Sequence, residues 1–406
     1  MSDDFDVVIA GGGLNGPVLG LALADAGMRV AVVDAAPARA RASDNFDGRA
    51  YALALASVRL LGAIGLWPAL KPDAQPIMRV ATRQGGKGAL SALGLDFDAA
   101  EIEEGVLGQM VEDRFLYRAL IGAMPARLTH IPATQVIGQA GDTAGITVTL
   151  SDGRQLRARL LVGADGRRSG VAARAGIGRT GWDYRQTALV TALAIETPHH
   201  GTAHQVFLPT GPLAVLPLQG NRASIVWSLT RTQARAIETL PDDAFLEVLG
   251  PHIHAITGRI GLAGPRFSYP LGLTLANDYV AERVALIGDA AHGVHPIAGQ
   301  GLNLGLRDAA ALAECLVDAA RRGEDIGFAT TLERYQGWRR FDATALALGM
   351  DGVNTLFSNK NPILHAVRGI GMGAVNALPG LRRHFMRQAA GLTVRPMPRL
   401  LAGQKL

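Results

Sequence analysis

Apolar residues are grouped along the chain in distinct patterns. Unbroken runs at Asp6–Ala10 (DVVIA), Met28–Val33, Leu160–Gly163 and Val284–Ile287 end at glycine or aspartate. That is the pattern of short strands buried on both faces. The stretches Thr187–Glu196, His204–Leu208 and Ala223–Thr230 predict a second group of strands. Helical periodicity follows Gly11–Gly16 as far as Ala26, where Gly27 suits a C-terminal cap. It resumes after Gly299-Gln300-Gly301. Asp152-Gly153 reads as a hairpin turn after Thr147–Leu150. Beyond Phe357 the pattern predicts short helices divided at Pro379-Gly380, with a glycine-rich apolar part, Gly369–Leu381, followed by arginines.

Three of the strand ends carry chemistry. The first run leads into Gly11-Gly12-Gly13-Leu14-Asn15-Gly16, which satisfies G-x-G-x-x-G, and the next strand ends in Asp34. In that pattern Gly11 allows the turn, Gly13 lets backbone approach a pyrophosphate, and Gly16 lets helix and strand pack. An acidic residue about 20 positions on can hold ribose hydroxyls. Strand before, helix and strand after, and Asp34 at that spacing point to dinucleotide binding. The strand Leu160–Gly163 ends in Ala164-Asp165-Gly166-Arg167-Arg168-Ser169. The third segment, Arg283–Asp308, is a strand, a polar tip at Gly288-Asp289, and a helix start whose free N–H groups favour negative charge.

Composition narrows the classes. With 406 residues, 48% hydrophobic and 18% charged, the chain can bury a large core in two or so domains. The single cysteine, Cys315, excludes a disulfide framework and fits a reducing cytosol. The acidic start MSDDFD is not patterned as a signal peptide, and no apolar run reaches the roughly 18–20 residues of a spanning helix. The net charge of +5 is unevenly placed: after Asp351 there are eight Lys or Arg and no acid, which leaves the rest at −3. Such a basic tail suggests an anionic partner: a membrane surface, nucleic acid or an acidic protein face. His292 and His295 lack the accompanying ligands of a metal site and are expected as walls of the polar tip.

Together these motifs resemble the single-component FAD-dependent aromatic hydroxylases that share the p-hydroxybenzoate hydroxylase fold. The three signatures stand here as GGGLNG (Gly11–Gly16), GADGRRS (Gly163–Ser169) and GDAAHGVHPIAGQGLNLGLRDA (Gly288–Ala309). Within that class the chain is similar to the ubiquinone-biosynthesis hydroxylases of the UbiH/UbiF/VisC type, through Asp47–Leu53, Leu107–Leu120, Phe207–Leu218 and Asp351–Asn359. The resemblance implies an α/β fold: a discontinuous Rossmann-like FAD-binding domain (1–75, 101–178 and 276–356), an inserted, mainly antiparallel substrate sheet (76–100 and 179–275) and a C-terminal helical basic tail (357–406).

For the site, it implies Asp34 on the adenosine ribose, Arg49 and Arg114 near the pyrophosphate and ribityl chain, and Val136 near the adenine. Asp165 belongs to the middle signature, and Asp289 would bond the ribityl hydroxyls. Pro296, Gly299, Gln300, Gly301, Leu302 and Asn303 would line the isoalloxazine. The family usually has Arg where this chain has Ala172, with Arg174 displaced by two. The implied reaction uses NADPH or NADH and O2, through a flavin C4a-hydroperoxide, to hydroxylate a polyprenylated phenol in ubiquinone biosynthesis. Implied partners are a membrane surface and a biosynthetic protein complex, with no nucleic acid, and the implied place is cytoplasmic, at the inner face of the membrane. Tyr184, Tyr269 and His204 lie in the substrate region without a distinguishing role. Hydroxylation of a small soluble aromatic acid, and a flavin-holding non-catalytic role in a membrane complex, are the alternative readings.

Overall fold

The computed structural model describes residues 4–41, 46, 48–86, 89–295, 299–357 and 378–406. Pro296 and the tail stretch 358–377 lie outside the described residues. The unbroken apolar runs form the parallel centre of an eight-stranded sheet, in the order Val284–Leu286, Gln155–Gly163, Asp4–Ala10, Val30–Val33, Thr129–Ile131. Val7, Val8 and Ile9 have no exposure, as both faces of such a sheet demand. The hairpin of Val136–Asp142 and Gly145–Leu150 adds antiparallel strands. Helices Asn15–Asp25 and Gln300–Arg321 pack on one another through small residues: a Cβ on Gly305 would stand 2.2 Å from the Asn15 side chain.

A second sheet of nine strands runs His292–Gly293, Phe267–Ala276, Arg179–Ile195, Arg222–Thr230, Gly211–Leu218, Thr202–Leu208, Arg79–Gly86, Ala89–Asp98, with Ile260–Leu262 beside Arg179–Ile195. Every pair is antiparallel except Thr202–Leu208 with Arg79–Gly86. Alternation divides its side chains. Leu189, Leu213 and Val215 join Trp227 and the helical Phe245 in a core behind the sheet. Val190, Leu216 and Val226 take the other face, toward the parallel sheet's crevice. A small sheet, Ala50–Ala54, Gly108–Glu112 and Gln75–Ile77, packs against that face through Ile77, Met110, Ala192 and Ala203.

The helix Ala329–Phe357 is continuous, and a second helix spans Pro379–Ala389. The chain then returns to the main core, where Leu400 and Leu401 are buried. Arg399 pairs with Asp318 at 2.5 Å, and Arg382 with Glu101 at 2.7 Å, so part of the tail's charge is matched by the body. Among the described residues, no helix is long and apolar enough to cross a membrane.

Candidate active site

Two cavities mark the crevice. The first, of about 630 Å³, lies at the C-terminal ends of the parallel strands and is lined by Gly13, Asp34, Val136, Asp165, Arg168 and Arg174 among others. Gly11 has φ +121°, and a Cβ there would stand 2.2 Å from the Ala164 carbonyl, so both conformation and contact require glycine. A Cβ on Gly16 would meet the Gly11 carbonyl at 2.1 Å. Gly13 differs: its Cβ would meet no atom within 4 Å, because it faces the open cavity. Asp34 is 3% exposed and accepts the Ala36 N–H at 3.1 Å. Asp165 orders its own loop, accepting from the Ser169 hydroxyl at 2.5 Å and the Val171 N–H at 3.1 Å. Ala172 is buried, while Arg174 is exposed at the cavity rim and donates to Gln139 at 3.2 Å.

The second cavity, about 320 Å³, lies between the start of Gln300–Arg321 and the inner face of the nine-stranded sheet. Gly299, at φ +62°, turns the chain into that helix, and Gly299, Gly301 and Leu302 form one wall. Val190, Gln205, Ala214, Leu216, Val226 and Tyr269 form the sheet side. Arg49, Arg167 and Asp289 close the polar end. Arg167 holds Asp289 through Nε at 3.2 Å and donates to the Val294 carbonyl at 3.1 Å. Arg179 donates to the carbonyls of Ala290 (2.5 Å) and Asp289 (3.1 Å), which pins the loop from behind. Arg49 pairs with Asp113 at 2.9 Å. Arg114 bonds Glu112 at 2.8 Å and stacks on Phe115; it lines neither cavity. Desolvation by the surrounding sheet pushes the Tyr269 hydroxyl up to about 12, against the pull of Arg167, although the residue keeps 36% of its surface open.

Behind this wall, two side chains fix the loop. Asn303 accepts from the Ala54 N–H and the Ser57 hydroxyl, each at 2.8 Å, and donates to the carbonyls of Ala52 (2.8 Å) and Gly299 (2.9 Å). Its amide thus joins the helix start to the Ala50–Ala54 strand. Asp308 is fully buried and accepts from the Gly288 N–H (3.0 Å), His292 Nε2 (2.5 Å) and Arg339 Nε (2.9 Å). Burial opposes its charge, but His292 and Arg339 overcome this and hold the carboxyl below its usual range. His292 is therefore a hydrogen-bond partner of Asp308 within the fold. His295 is buried with neither ring nitrogen partnered and meets Tyr184 edge-on at 5.4 Å. Among the described residues, no group of three or more His, Cys, Asp or Glu could hold a metal.

The sequence-selected residues thus fall into separate places. Gly13, Asp34, Val136 and Asp165 share the first cavity, and Arg49, Asp289, Gly299, Gly301 and Leu302 the second. Gln300 and Asn303 open instead onto a third, apolar cavity beside it. Sequence reasoning assigned no role to Arg167, Arg168, Arg179 or Asp308, although three of the four lie inside or next to the quoted signatures. A crevice with an open glycine face, the buried carboxylate of Asp34 and a helix N-terminus at its far end fits FAD. The adenosine and pyrophosphate would lie in the first cavity and the ring system in the second. When bound, FAD supplies the redox chemistry; the chain orients it and places a helix N-terminus where its anion would be stabilised.

A two-sheet fold with this crevice defines an FAD-binding flavoprotein. Residues 4–346 match the FAD binding domain family, and the chain belongs to it, within the branch of ubiquinone-biosynthesis monooxygenases. The chain is 44% identical over 409 residues to ubiquinone hydroxylase UbiL of Rhodospirillum rubrum, covering 99% of this chain and 93% of that protein. It is 35% identical over 394 residues to 3-demethoxyubiquinol 3-hydroxylase of Escherichia coli, covering 95% and 98%. Its fold is similar to crystalline p-nitrophenol 4-monooxygenase PnpA of Pseudomonas putida, with a TM-score of 0.81 at 21% identity over 97% of this chain and 100% of that one.

Proposed function

We propose that this monooxygenase hydroxylates the ring of a polyprenylated phenol in ubiquinone biosynthesis, with NADPH or NADH and O2 as co-substrates. The observation that carries the reading is the sheet side of the second cavity, where, among the described residues, Val190, Ala214, Leu216 and Val226 surround two polar side chains, Gln205 and Tyr269. A phenol fits such a wall, and the cations at the cavity's other end, Arg49 and Arg167, already pair with Asp113 and Asp289, which leaves less for the carboxylate of a small aromatic acid. Both relatives' names point to the same substrate class. The sheet lies over the ring site, which orients the phenol and excludes water.

The same reading puts the protein on the cytoplasmic face of a membrane, as part of a biosynthetic complex. The helix Pro379–Ala389 supports this: it exposes Leu381 and Phe385 beside Arg383 and Arg387, with Leu378 just before it. Quinone profiling of a deletion strain tests the function. An under-hydroxylated prenyl phenol should accumulate and disappear on complementation with the wild-type gene, but not with Asp289→Ala. Normal quinone without an intermediate would contradict the assignment.

A further inference from the structure

The third cavity, of about 220 Å³, touches the second across Ala52, Gln205 and Leu216. Its walls are Ile77, Val80, Phe97, Phe207 and Met386, with Ala203 on the sheet side. The hydroxyl of Thr82, also at the wall, is already committed to the Leu95 carbonyl at 3.1 Å. The floor is the start of the flavin-side helix, Gln300 and Asn303, and every hydrogen-bonding position of the Asn303 amide is taken. The Thr82 hydroxyl and the Asn303 amide therefore face their own partners, and His204, Gln205 and Gln300 supply the other polar side chains of an otherwise apolar wall. An apolar void of this kind gains from hydrocarbon and offers little to a polar ligand. Its cover is the C-terminal helix: Met386 turns inward, the Ala56 N–H donates to the Ala390 carbonyl at 3.1 Å, and Arg382 is tied to Glu101.

We propose that this cavity, roofed by the helix Pro379–Ala389, is the subsite for the substrate's hydrocarbon chain, next to the ring. It rests on the reading of the substrate as a prenylated phenol, and it adds where the chain goes and which residues limit it. Met386 and Ala203 set its size from opposite sides.

Binding of para-alkylphenols, from methyl to hexyl, to the FAD-loaded protein tests this, read from flavin absorbance so that no turnover is needed. Each added methylene should lower Kd about threefold to fourfold until the cavity is full. Ala203→Leu should end that gain at a shorter chain, and Met386→Ala should carry it to a longer one; flavin content checks that each variant is folded. The same chain-length profile in wild type and both variants would place the chain elsewhere while leaving the phenol substrate standing. A flat profile in the wild type, with the methyl compound bound, would remove both the subsite and the prenylated substrate.

Discussion

Asp308 shows how much a single side chain can hold. It has no contact with solvent, and its three donors come from the flavin-side loop, the polar tip and the long helix Ala329–Phe357. Removing one member of a buried ionic set strands the others, at about 3–5 kcal/mol. Asp308→Ala should lose that much, seen as a lower urea midpoint, and release FAD because Gly288-Asp289 is freed. Unchanged stability and flavin content would show that the set is dispensable. Nothing in the sequence marks Asp308 beyond its place at the end of a signature, since its meaning lies in Arg339, which comes from a distant helix. The position of Asp34 at the end of its strand was legible because a local rule fixes its distance from the glycines. The bond from Arg114 to Glu112 was not, because the geometry of the strand-to-helix turn sets it.

His295 adds a pH dependence. Burial, helped by Arg167, pushes its imidazole down to about 4, and burial does the same to His204. The unfolded chain takes up these protons near 6.5. Between roughly 4.5 and 6.5 the unfolded state therefore binds more protons, and stability falls as pH falls, by at most about 1.4 kcal/mol per unit for each histidine. Above 6.5 neither contributes. His295→Gln should reduce this slope in urea titrations across that window, to which His130 and His252, also pushed down by burial, contribute as well; an unaltered slope would contradict the assignment to His295.

At the scale of elements, the buried runs and the stretches Thr187–Glu196, His204–Leu208 and Ala223–Thr230 were legible as strands, while Arg79–Gly86, Ala89–Asp98, Gly211–Leu218 and Phe267–Ala276 were not picked out. Which face was core was not legible either. Leu189 and Val190 are equally apolar neighbours, and only the helix Asp242–Thr257 behind the sheet decides that the first is core and the second lines the cavity. The tail was partly legible. Its arginines looked equivalent in sequence, yet Arg382 and Arg399 are spent on Glu101, Glu314 and Asp318. Arg383 and Arg387 remain exposed beside Leu381 and Phe385, with Leu378 just before the helix. Each basic residue near an anionic leaflet contributes about 1 kcal/mol. Arg383→Glu with Arg387→Glu should therefore weaken co-sedimentation with anionic liposomes at least tenfold and make it less sensitive to salt. Equal binding to neutral lipid would sink the electrostatic contact.

For the whole molecule, the resemblance carried by the three signatures implied a parallel sheet interrupted by an antiparallel one, and the two sheets flank the crevice. What the sequence did not reveal is the return of the chain end, where Leu400 and Leu401 enter the first sheet's core and bring Met386 over the apolar cavity. That closure depends on contacts between residues hundreds of positions apart, to which no periodicity points. The central claim is that these parts together insert one atom of dioxygen into a phenolic ring. It is tested most directly by turnover of a short-chain prenylated phenol with NADPH or NADH under labelled O2, with mass analysis of the product. The predicted result is one labelled oxygen in the new hydroxyl and nicotinamide oxidation that quickens when the phenol is added. Product oxygen drawn from water, or hydrogen peroxide as the sole product with every phenol tried, would contradict it.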